Sequence, residues 1–184
     1  NSYIYRHKNN IIELDITDFD GSDIIEIKYF TNLKLLNCLG TQITKLDVTN
    51  NTQLEHLDCC NINITKLDVT NNIELKYLFC SQTQISELDV TNNTQLEQLY
   101  CNNTQISVLD VTKNIELKKF VCNNTQISEL DVTNNTQLEH LDCFGTQITK
   151  LDVTNSTKLK YLDCCNINIT KLDVTKNIEL KYLY

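Results

Sequence analysis

The chain has 184 residues, 41% hydrophobic and 22% charged, so it has enough apolar material for a core and is not a disordered tail. Its 16 basic and 24 acidic residues leave a formal net charge of -8, which argues against a nucleic-acid partner because phosphate neutralisation needs a basic face. No run of about 18 apolar residues is present to insert in a membrane, and with no Pro and only 3 Gly the chain lacks the turn and phosphate-loop residues of a compact α/β enzyme.

The segment before Leu33 keeps no repeating register. Leu14-Asp15-Ile16-Thr17 echoes a Leu-Asp-Val-Thr tetrapeptide found downstream, yet the first such copy begins only at Leu46, a step half as long again as the regular one. An insertion is therefore expected over Asp18 to Thr31. Within it, Ser22 or Asp23 is placed to cap a short helix through Phe30, with Ile24, Ile27 and Phe30 facing inward. Residues 1–32 read as a divergent first repeat or N-terminal cap.

From Leu33 to the end the chain is periodic. Cys38, Cys59, Cys80, Cys101, Cys122, Cys143 and Cys164 recur at a constant 21-residue step. Two residues before each cysteine stands Leu36, Leu57, Leu78, Leu99, Phe120, Leu141 or Leu162, and five after it an isoleucine, from Ile43 to Ile169. The unit reads L-x-x-L-x-C-x-x-x-x-I-x-x-L-D-V-T-x-x-x-x. The leucine–cysteine step of two is a strand signal. One 21-residue coil cannot bury its apolar positions alone, but stacked coils can, with strands about 4.8 Å apart. The expected architecture is a right-handed solenoid with a parallel sheet along one side. Eight strands, centred from Leu36 to Leu183, give a sheet roughly 35–40 Å long. The Leu-Asp-Val-Thr stretches run extended on the other side, and a 3₁₀ turn is expected near each Asn-Asn-Thr or Asn-Ile segment. Tyr184 falls just before the next cysteine is due, so further repeats or a cap are expected beyond it.

On these residues the unit resembles the leucine-rich repeat in its short bacterial form, with cysteine replacing the inward leucine of the strand. It is most similar to the internalins, in particular the internalin J type with its cysteine ladder. The resemblance covers Leu33 to Tyr184. It implies an α/β-type horseshoe solenoid over residues 33–184, with the parallel sheet on the concave face and little helix on the convex side. It also implies a bacterial secreted or surface-anchored protein used in adhesion. The family often carries Asn three after the cysteine; here stand Thr41, Thr83, Thr104, Thr125 and Thr146, with Ile62 and Ile167. A threonine row stands there in place of an asparagine one.

Three ladders are read as structural. The cysteines pack as small hydrophobes, since in-register side chains point the same way and a disulfide between them is strained. Lys34, Glu55, Lys76, Glu97, Lys118, Glu139 and Lys160 alternate in sign on neighbouring strands, an attractive row. Asp47, Asp68, Asp89, Asp110, Asp131, Asp152 and Asp173 would repel as a row unless backbone N–H groups cap them, the favoured reading, or cations such as calcium sit among them.

The sheet's outer face varies most among the copies. Tyr77, Phe79 and Tyr100 meet there as an aromatic patch, the type of anchor that binding hot spots use. His56, Asp58, His140, Asp142, Phe144 and Tyr161 complete the candidate ligand-binding set. His56, Asp58 and Cys60 are residue types of a hydrolase or zinc site, but their steps of about 6.6 Å are too long for nucleophile–base contact. No catalytic, metal or cofactor residue is assigned. Cys60 and Cys165 point outward, and their reactivity stays open. The leading reading is a non-enzymatic module binding a protein, or a glycan, on the concave face. The alternatives are a structural spacer and the targeting arm of a larger enzyme.

Overall fold

The computed structural model describes residues 10–17 and 27–184. Nine short strands form one parallel sheet in chain order. They are β1 (Glu13–Asp15), β2 (Leu35–Asn37), β3 (His56–Asp58), β4 (Tyr77–Phe79), β5 (Gln98–Tyr100), β6 (Lys119–Val121), β7 (His140–Asp142), β8 (Tyr161–Asp163) and β9 (Tyr182–Leu183). From β2 onward every register partner lies one repeat away, as in Leu36↔Leu57 and Leu57↔Leu78. In β2 to β8 the middle residue is buried and its neighbours face outward. The chain between strands winds around a single core, giving a leucine-rich-repeat solenoid with almost no helix.

The repeat has six inward apolar positions. In the second full repeat these are Leu54, Leu57, Cys59, Ile64, Leu67 and Val69, all buried. All nine cysteines are free, and those from Cys38 to Cys143 in the ladder are buried. Burial first, then the Asp58 carboxylate, pushes the Cys38 thiol up to about 12, and burial does the same for Cys101. These thiols stay protonated. Cys38 Sγ donates to the Asp58 carbonyl at 3.3 Å and Cys80 Sγ to the Tyr100 carbonyl at 3.4 Å. The ladder is packing with a weak hydrogen bond to the next strand.

The start of the chain differs from the sequence reading. Leu14 pairs with Leu36 and Asp15 with Asn37, so Leu14-Asp15-Ile16 is the sheet segment of a first coil, equivalent to Leu57-Asp58-Cys59. It is not a copy of Leu-Asp-Val-Thr. Ile16 is buried where later coils place cysteine, and its N–H donates to the Asn37 carbonyl at 2.8 Å, as Cys38 does to Asp58. The carbonyl of Ile27 accepts from Asn51 as that of Val48 accepts from Asn72. Ile27 thus holds the valine position one repeat before Val48. The stretch from Leu14 to Ile27 is longer by a single position than that from Leu36 to Val48, so the first coil carries no long insertion. This coil adds a ninth strand to the eight expected. Ile27 and Phe30 face inward as expected, on a 3₁₀ turn at Ile27–Tyr29. The helix cap at Ser22 or Asp23, and Ile24, lie outside the described residues.

The expected 3₁₀ turns are present as single i→i+3 turns. Asn51 N–H bonds to Val48 O at 2.9 Å and Leu54 N–H to Asn51 O at 3.0 Å. These are two separate turns joined at Asn51, and the pattern recurs through Asn177. Asn51, Asn72, Asn93, Asn114, Asn135 and Asn177 are buried at this joint. Each Nδ2 donates to two backbone carbonyls of the preceding coil; for Asn114 these are Val90 O at 3.0 Å and Asn93 O at 2.8 Å. Ser156 interrupts this asparagine row with a single bond of 3.4 Å to Asn135 O. The threonines after cysteine form no ladder between coils. Thr83 Oγ1, for instance, donates back to Cys80 O within its own coil, at 2.8 Å.

The aspartate row is capped locally. One oxygen of Asp47 accepts both the Thr49 N–H at 3.1 Å and the Thr49 hydroxyl at 2.6 Å. The same pair of bonds recurs at Asp68, Asp89, Asp110, Asp131, Asp152 and Asp173. The threonine hydroxyl, then its N–H, hold Asp89, Asp110 and Asp131 below the ordinary value of 3.8. On the sheet side Glu55 bridges Lys34 at 2.9 Å and Lys76 at 2.8 Å, while Glu97 meets Lys118 and Glu139 meets Lys160 at 2.8 Å. Hydrogen bonds from Lys76 and Lys34 bring Glu55 down to about 2. A carboxylate whose folded pKa is depressed stabilises the fold above its unfolded value and loses that contribution as pH falls through the folded one. The thermal midpoint should therefore hold from pH 7 to about 5 and fall steeply between about pH 4 and pH 2. Circular-dichroism melts read this directly, and a flat profile down to pH 2 would refute the capped-row account.

Candidate functional site

Strand geometry places the outward residues of β3 to β5 side by side about 4.8 Å apart. Short strands with a leucine locked in the core leave their flanking side chains on the surface, held by the sheet rather than by a loop. There His56 lies edge-on to Phe79, with ring centroids 5.3 Å apart, and at 5.6 Å from Tyr77. Phe79 lies 4.8 Å from Tyr100 with the rings tilted by 34°. His56, Tyr77, Phe79 and Tyr100 are thus one continuous ring cluster, each half-buried. A second cluster forms where His140 stacks on Tyr161 at 4.2 Å, their planes 4° apart. Tyr161 also meets Tyr182 at 6.1 Å and Tyr184 at 5.7 Å. The clusters are separated by β6, which presents Lys119 and Val121.

The acidic members have a second occupation. One oxygen of Asp58 accepts the Cys60 N–H at 3.0 Å, and one oxygen of Asp142 accepts the Phe144 N–H at 3.1 Å. Asn123 donates to the other Asp142 oxygen. These carboxylates end the strands as turn caps and form an acidic border to the rings. Phe144 sits in the turn after β7, off the strand, and joins neither ring cluster among the described residues. Burial lowers the pKa of His56 and His140 below 6.5 against the opposing pull of Asp58 and Asp142. Both imidazoles are neutral at pH 7, which suits them to stacking. Cys60 also lies in a turn, beyond His56 and Asp58 on the strand. Burial first, then the Asp58 carboxylate, pushes its thiol up to about 12, so it is no thiolate nucleophile. Among the described residues no three His, Cys, Asp or Glu side chains converge as a metal site.

Sequence reasoning missed the turn that follows each strand. Gly40, Asn61, Gln82, Asn103, Asn124, Gly145 and Asn166 all have positive φ, from 53° to 70°. The signal was present: glycine and asparagine recur two residues after cysteine, the types that tolerate the left-handed region. At the edge of the ring cluster this turn borders an open pocket of about 480 Å³ that includes Asp58, Asn61, Phe79, Gln82, Tyr100 and Asn102.

No protein-family model and no curated protein sequence matches the chain. Solved structures do. The functional domain of InlJ from Listeria monocytogenes, which includes a cysteine ladder, superposes with a TM-score of 0.94 at 35% identity over 98% of this chain. The chain is an internalin J-like leucine-rich-repeat protein. It spans 40% of the length of that InlJ domain. The internalin InlF from the same organism matches 97% of the chain and 62% of its own, with TM-score 0.73 and 24% identity. YopM, a leucine-rich effector protein from Yersinia pestis, matches 84% of the chain and 43% of its own, with TM-score 0.72 and 21% identity. The latter two establish the shared solenoid fold alone.

Proposed function

We propose that this internalin J-like chain is a recognition module of a bacterial secreted or surface protein, docking a protein partner on the exposed sheet face in an adhesion-like role. The observation that carries this reading is the ring cluster of His56, Tyr77, Phe79 and Tyr100. Aromatic anchors on a rigid surface lose little conformational entropy on binding, which is what hot spots exploit. The Asp58 and Asp142 border, with Asp163, favours a partner whose facing surface is basic. His140 and Tyr161 form a second anchor about two strand spacings from Tyr100, roughly 10 Å away. The likeness to InlJ supports the adhesion-like setting.

The test is surface binding of the full chain to a panel of extracellular-matrix and cell-surface proteins. At least one should bind saturably, and the variant combining Tyr77→Ala, Phe79→Ala and Tyr100→Ala should weaken it about 100-fold. The melting curve of that variant must stay cooperative; if it does not, Tyr77→Ala alone is expected to cost about tenfold. A control, Val108→Ala at an exposed site off this face, should bind as the parent does. Equal binding by the ring variants, or no saturable partner in the panel, would overturn the proposal and favour a spacer.

A further inference from the structure

The pocket beside the first ring cluster is lined by both aromatic and amide residues. Its floor is the tilted pair Phe79 and Tyr100, 4.8 Å apart. Its rim holds three side-chain amides, Asn61, Gln82 and Asn102, and the Asp58 carboxylate. Asn61 and Gln82 occupy the left-handed turn, with φ 55° and 56°. Their backbone N–H groups are already bound, to Ser81 O and Asn102 O at 2.9 Å. The turn is therefore fixed, and both residues line the pocket with side-chain amides that bond no protein group. Ser81 Oγ donates to Asn102 Oδ1 at 2.5 Å, which orients that amide and leaves its N–H₂ available. One oxygen of Asp58 is held by the Cys60 N–H, leaving the other to accept.

We propose that this pocket is a carbohydrate subsite that binds one neutral hexose-type unit. The chemistry selects it by elimination. A purely apolar ligand would cover three amides and a carboxylate without satisfying them, at a cost for each. An anion meets Asp58 and a chain of net charge -8. A lone cation uses the acceptors only and leaves the amide donors idle. A pyranose ring offers what the walls need. One face is C–H and packs on an aromatic ring, while its edge carries hydroxyls that both donate and accept. About 480 Å³ of open space is of the order that one or two sugar rings occupy. The subsite shares Phe79 and Tyr100 with the protein-docking face but not Tyr77, so the two proposals stand or fall separately.

The test is NMR titration of the full chain with a panel of methyl glycosides of glucose, galactose, mannose and N-acetylglucosamine, read at the side-chain amides of Asn61, Gln82 and Asn102. At least one sugar should shift these resonances saturably, with Kd about 1 mM. The double variant Asn61→Gly/Gln82→Gly removes two amides without backbone strain, because Gly40 and Gly145 already occupy this turn position in other coils. It should bind at least about tenfold more weakly with an unchanged melting curve, and Val108→Ala, off this face, should bind as the parent does. No saturable shift at about 50 mM sugar, or full affinity in the double variant, would overturn the subsite.

Discussion

Asn114→Ala should destabilise the solenoid by about 1–3 kcal/mol, because it removes two hydrogen bonds between coils, each worth roughly 0.5–1.5 kcal/mol, from carbonyls that keep one backbone donor each. Asn114 is fully buried, and its Nδ2 reaches Val90 O and Asn93 O of the coil before it. The methyl of alanine reaches neither. The loss falls at the joint between two turns, where Asn114 N–H and O also close the backbone to Val111 and Leu117. Urea denaturation of parent and variant measures the difference. The chain holds its own comparison at Ser156, where one 3.4 Å bond stands in for two good ones. Ser156→Asn should therefore move stability in the opposite direction, by about 1 kcal/mol. A loss below about 0.5 kcal/mol for Asn114→Ala would mean that the row is incidental to cohesion between coils.

Leu99→Ala should cost about 2–5 kcal/mol, the range for truncating a fully buried leucine that leaves a cavity. Leu99 is the middle residue of β5 and lies between Leu78 and Phe120 in the register, all three with no exposed surface. Its coil is held on both sides, so the cavity has little room to collapse. Leu183 occupies the same position in β9 but is 48% exposed. Leu183→Ala should cost about 1 kcal/mol, since about half of that residue stays in water on folding. Comparable losses at the two sites would contradict a stability built from nearest-neighbour contacts between coils. Such losses also travel to function. The docking face is made of side chains flanking these buried leucines, and a loosened β5 would shift Tyr100 against Phe79.

Much of this was legible in the residues. The 21-residue step set the register of β2 to β9, because only one alignment puts every leucine and cysteine inside. Strand alternation then named which side chains face out, and adjacency put Phe79 beside Tyr100. The capped aspartates followed from Asp-x-Thr, a spacing that lets the carboxylate reach the N–H two residues on. The alternating lysines and glutamates followed from the same stacking, and four of those neighbouring pairs close as ion pairs.

The rest needed the coils to be wound. Asn50 and Asn51 are chemically identical neighbours, yet Asn51 is buried against two carbonyls and Asn50 is not buried. Local sequence carries little that separates them. The hint is that Lys113 and Lys176 replace the outer residue of the pair while the inner one stays Asn. Leu14-Asp15-Ile16-Thr17 fits two places in the repeat equally well, since both put apolar side chains two residues apart and both let Asp cap the residue two ahead. The Asp15 carboxylate does accept the Thr17 N–H and hydroxyl, at 3.0 and 2.9 Å. Which place it takes is decided by the partner strand, Leu35–Asn37. The pocket beside Phe79 is likewise a product of four successive coils, none of which contains it alone. By itself the sequence determined the repeat, its inward residues and its local caps, because these depend on spacing along one chain. The tertiary structure decided which asparagine is buried, where the first coil sits and which amides surround the rings. Those outcomes depend on contacts between coils, which exist only once the solenoid has stacked.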